Sequence, residues 1–69
     1  MDKMLEQNLF HLNGEADKRH EAALFLERMA ASETNEHIKR QMMIGVNNLI
    51  VEEIGFRRQA FEIRNTFGT

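Results

Sequence analysis

Sixty-nine residues make one small domain at most, and below roughly 70–80 residues a lone core supplies only about 3–5 kcal/mol unless disulfides, a structural metal or oligomerisation add to it. Cys is absent, which excludes disulfides, thiolate-bound zinc and a thiol nucleophile and leaves association with another chain as the expected supplement. The net charge of −2 divides into −3 over residues 1–33 (four basic, seven acidic) and +1 over residues 34–69 (five basic, four acidic), so neither half is a basic nucleic-acid arm and the halves attract each other weakly.

Pro is also absent, and the apolar residues are mostly Leu, Ile, Met, Ala and Phe, a helical composition. No apolar run approaches the roughly 18 residues that a membrane span needs, and the first residues show no charged-then-apolar leader. A soluble cytoplasmic protein without membrane contact is expected.

In the first half, Leu5, Leu9, Leu12, Ala16, Arg19, Ala23, Leu26 and Ala30 follow one another at intervals of 4, 3, 4, 3, 4, 3 and 4. This seam predicts one helix over about residues 2–31, broken in polarity only at Arg19. Asn13-Gly14 could end a helix, giving a kink or a three-helix variant, but the heptad runs through it and sets both residues outside the seam. Ser32-Glu33-Thr34-Asn35-Glu36 offers capping residues followed by acid and predicts a turn at about residues 32–36.

The second half repeats the rhythm with Met42, Val46, Leu49, Glu53, Phe56, Ala60, Ile63 and Phe67, predicting a helix over about residues 37–66. Folded back antiparallel, the two seams match member for member when paired residue numbers sum to 72. Leu5 then meets Phe67, and Arg19, the one basic seam residue, meets Glu53, the one acidic one. A sum of 65 would set each charge against an apolar residue, at a cost of several kcal/mol. Arg19 and Glu53 are therefore expected to form the register pair, although the 72 register centres the turn on Glu36, past the capping residues.

Apolar residues are left over. Met43, Ile50, Ile54 and Phe61 flank the second seam, and Ile44 and Val51 lie on its far side. The first helix adds Met1, Met4, Phe25 and Met29 on one flank, with Phe10 and Leu24 outside. Two helices cannot cover that much apolar surface. The expected architecture is an all-α antiparallel two-helix hairpin that dimerises into a four-helix bundle, with Met43, Ile44, Ile50, Val51, Ile54, Phe61, Phe25 and Met29 at the interface with itself or with another protein.

Chemistry is weakly signalled. His11 with Glu15, Asp17 with His20, and Glu33 with His37 are spaced three or four apart, but no Glu-x-x-His occurs, so surface pairing is expected rather than a metal site. Ser32, the only Ser, sits at the predicted cap with no patterned His. No enzyme activity and no cofactor are expected. Lys39, Arg57 and Arg64 share one azimuth of the second helix, and Lys18, Arg28, Arg40 and Arg58 could extend that patch across a dimer. A dimeric RNA-binding bundle is thus the alternative to a non-enzymatic adaptor, chaperone-like binder or inhibitor, against which stand the acidic balance and the lack of Trp and Tyr.

Overall fold

A computed structural model describes residues 3–67; Met1 and the expected helix start at residue 2 lie outside them. Two helices, α1 (Lys3–Ser32) and α2 (Glu36–Phe67), pack antiparallel as a rod of 50 × 14 × 13 Å. α1 passes through Asn13-Gly14 unbroken, and no described residue has positive φ.

The seam positions are the ones that fold inward. Leu9, Ala16, Ala23 and Ala30, every seventh residue of α1, are buried, as are Val46 and Ala60 of α2. Glu53 stands midway between those two, half-buried, and the alternate seam residues Leu5, Leu12, Leu26, Met42, Leu49, Phe56 and Ile63 are half-buried too. Phe67 differs from expectation: it is 57% exposed, in the last turn of α2. The small seam side chains let the helices approach closely. A Cβ added at Gly45 would fall 2.9 Å from Leu26 Cδ2.

Cross-helix contacts fix the register. Arg19 reaches Glu52, His20 reaches Glu53, Asp17 reaches Arg57, and the Arg19 guanidinium lies 4.8 Å from the centroid of the Phe56 ring. These pairs, with Leu26 against Gly45, have residue-number sums between 71 and 75, around 72 and far from 65.

The connection is only Glu33–Asn35, so the chain reverses earlier than a turn centred on Glu36 would. Both facts fit if the three connecting residues, at about 3.3 Å each, climb roughly one helical turn past the end of α1 before α2 starts down. The Asn35 side-chain oxygen caps α2 by accepting from the backbone N–H groups of His37 (3.0 Å) and Ile38 (3.2 Å). At the other side of the turn, the Ser32 hydroxyl donates to the carbonyls of Met29 (3.1 Å) and Arg28 (3.4 Å), and Glu33 N–H donates to the Ala30 carbonyl.

Candidate interaction surface

Midway along the rod the seam turns polar, and its charges are answered in a crossed pattern. Arg19 donates to Glu15, one turn back on its own helix, and to Glu52 across the hairpin at 3.2 Å. Glu53 accepts from Arg57 at 2.9 Å, its second oxygen lies 3.2 Å from His20 Nδ1, and Arg57 also donates to Asp17 at 3.1 Å. The expected Arg19–Glu53 bond is therefore not formed; each of the two bonds other partners instead. The long guanidinium lies along the seam, over Phe56, and leaves it on the side where Glu15 and Glu52 stand, while Glu53 leaves on the other side.

Each guanidinium thus holds two carboxylates. The bond from Arg19, aided by Lys18, lowers the Glu15 pKa, and the bonds from Arg57 and then His20 lower that of Glu53. In return, Arg19 is raised by Glu52 and Glu15, and Arg57 by Glu53 and Asp17. Such groups are held in their charged states, which suits a structural network rather than proton transfer near neutral pH.

The network also assigns the faces. Asp17, His20 and Arg57 mark one broad face of the hairpin, and Glu15 and Glu52 mark the opposite one. Seven-residue steps carry these assignments along each helix. Met43 and Ile50 share the side of Arg57, with Ile54 and Phe61 next to it, and from α1 Phe10 and Leu24 share the side of Asp17. Phe25 and Met29, in step with Lys18 and Glu15, lie on the opposite face. The eight residues expected at an interface therefore form two patches rather than one: Met43, Ile50, Ile54 and Phe61 continue around the outer edge of α2 through Ile44 and Val51, while Phe25 and Met29 stand apart. Flanking residues of an antiparallel pair face their own kind across the seam, and this signal could have placed Phe10 and Leu24 beside the α2 stripe.

All of these side chains are exposed, from 38% for Met43 to 67% for Val51 along α2. Of the basic residues proposed for nucleic acid, Arg57 has its charge answered by Asp17 and Glu53, Lys39 is half-buried, and Arg64 is exposed in the last turn of α2. Among the described residues no group of three or more His, Cys, Asp or Glu side chains is placed to hold a metal ion, and no helix is long and apolar enough to cross a membrane. The Ser32 hydroxyl is engaged with backbone carbonyls. Concavities are shallow, one along Lys18, Arg19, Ala22, Leu49 and Glu52 and another along Glu21, Leu24, Phe25 and Arg28.

The fold defines the class as an all-α helical hairpin. No protein-family model matches the chain, and no significant match is found among curated proteins or solved structures.

Proposed function

We propose that the chain is a non-enzymatic interaction protein that acts as a homo-oligomer, its hairpins completing a four-helix bundle, in the manner of an adaptor, chaperone-like binder or inhibitor of another macromolecule. The observation that carries this reading is the imbalance between what the hairpin buries and what it leaves outside. Among the described residues, four of the six that are buried are Ala, and Val46 is the one larger side chain that is fully buried. Burying one Val contributes roughly 1.5–3 kcal/mol, whereas ordering the backbone costs about 1–2 kcal/mol for every residue.

Surface area supports the same reading. The hairpin exposes 5359 Å², while a compact globular chain of its 8.1 kDa exposes about 4,500 Å². Two hairpins would reach the compactness of a globular protein of twice the mass by burying about 3,300 Å² between them, within the range of obligate dimers. In such a dimer the α2 stripe serves self-association, and the separate Phe25 and Met29 patch stays open to another protein.

Static light scattering across a wide concentration range, at low and high salt, tests the proposal. The expected mass is twice that of the chain and holds in high salt, because apolar burial is not screened. A folded monomer at every concentration would contradict it.

A further inference from the structure

From Met43 to Arg64, residues at intervals of 4, 3, 4, 3, 4 and 3 form a second heptad seam on α2, turned about a quarter of the way round the helix from the seam that packs on α1. Three of its members are notable for being polar: Asn47, Arg57 and Arg64. A helix carrying two seams is built to pack against two helices, and the hairpin supplies one. Among the described residues no side chain bonds the Asn47 amide. Arg57 commits Nε to Glu53 and Nη2 to Asp17, leaving the Nη1 donors unused.

We infer that the missing helix is α2 of a second copy of this chain, docked antiparallel about a twofold axis close to residue 52. Residue numbers then sum to 104 across the interface. Met43 meets Phe61, Ile50 meets Ile54, and Asn47 meets Arg57, each pair occurring twice by symmetry. Every apolar member thus faces an apolar one, and the Asn47 carbonyl oxygen accepts from Arg57 Nη1, whose positive charge two carboxylates of its own chain already balance. The neighbouring heptad registers are worse at the centre of the contact: a sum of 97 sets Arg57 against Arg40 and Asn47 against Ile50, and a sum of 111 sets Arg57 against Ile54, whereas 104 confines its like-charge pair, Arg40 with Arg64, to exposed positions near the ends of α2. The same docking brings Val51, 67% exposed on the outer edge of α2, against its own copy beside the axis. A side chain that the hairpin leaves in water is thereby covered. The area that two hairpins need to bury is the second argument for a copy of the chain as occupant, rather than a different protein.

The inference rests on the homo-oligomeric reading and adds its face and register. Because the chain has no Cys, Val51→Cys and Arg40→Cys each give a single attachment point for a nitroxide, both at exposed positions. Antiparallel docking offsets the two Val51 copies by about 3 Å along the axis and the two Arg40 copies by about 36 Å, at 1.5 Å per residue. Dipolar electron spin resonance on the folded chain should therefore give a short separation at residue 51, under about 20 Å, and one near 40 Å at residue 40. Short separations at both positions would mean parallel docking and overturn the inference. A long separation at residue 51 would place the contact on another face, overturning the inference while leaving homo-oligomerisation intact. No dipolar coupling at either position, in protein that light scattering finds monomeric, would overturn both.

Discussion

The two helices use similar lengths of chain differently. α1 buries Leu9, Ala16, Ala23 and Ala30 and leaves Met4, Phe10, Leu24, Phe25 and Met29 as exposed apolar residues. α2 buries only Val46 and Ala60, yet carries Ile38, Met43, Ile44, Ile50, Val51, Ile54, Phe61 and Phe67 as exposed apolar residues. The difference is one of arrangement: the exposed apolar residues of α1 are scattered over both faces, whereas those of α2 gather into one stripe along its length. A helix apolar on more than one side belongs in the middle of an assembly.

Charges placed on either side of α2 should break this comparison most sharply. Val46→Asp puts an unpaired charge into the α1 seam, and a cost of about 3–5 kcal/mol matches all the stability a small core has. Its helical circular dichroism should be lost at room temperature. Ile54→Arg strikes the outward stripe, where the side chain is 52% exposed in the hairpin. Helicity at high protein concentration should survive better than in Val46→Asp, while the association constant falls about a hundredfold or more, as read by sedimentation equilibrium. Equal damage from both would erase the distinction between the two sides.

The turn sets a smaller effect. Asn35→Ala removes the acceptor for the His37 and Ile38 N–H groups and should cost about 1 kcal/mol in denaturant titrations. Within the polar layer, a double-mutant cycle between Glu53 and Arg57 should give a coupling of about 0.5–1 kcal/mol, and the cycle between Glu53 and Arg19 a coupling near zero.

Acid should weaken the same layer. Glu15 and Glu53 have pKa values lowered by folding, through Arg19 and Arg57 respectively. Their contribution is present above the ordinary carboxylate range and is lost as pH falls through their lowered values. Denaturant midpoints should therefore drop on acidification from about pH 5 downward, and Glu15→Gln with Glu53→Gln should flatten that dependence. The smallest gain is at the glycines. Gly14→Ala should stabilise by somewhat under 1 kcal/mol, since open space surrounds its Cβ position. Gly45→Ala should gain less, because Leu26 must move.

Much of the hairpin was legible because burial follows the heptad: each of the six buried residues among those described is a seam residue, and the pairing sum of 72 follows from two charges that could not be left against apolar neighbours. The partners of those charges were not legible. Heptad counting assigns a layer, but an Arg side chain spans more than a layer, so Arg19 takes Glu15 and Glu52 while Glu53 takes Arg57 and His20. The interface residues were legible as surplus apolar side chains, but their faces were not. Sidedness depends on how one helix lies across the other, and Asp17 bonded to Arg57 supplies that for Phe10, Leu24 and the α2 stripe together. Phe67 keeps the rhythm of the seam without its burial, since periodicity marks a face of a helix and not how well each turn of that face is covered.

The central claim, that α2 is covered by a second copy, is tested most directly by thermal unfolding followed by circular dichroism over a thousandfold range of protein concentration. A folded state that exists as a dimer must show a Tm that rises steadily with concentration, and that is the predicted result. A Tm that is constant over the whole range, in protein of monomeric mass, would mean that the hairpin is stable with α2 uncovered and would contradict the account.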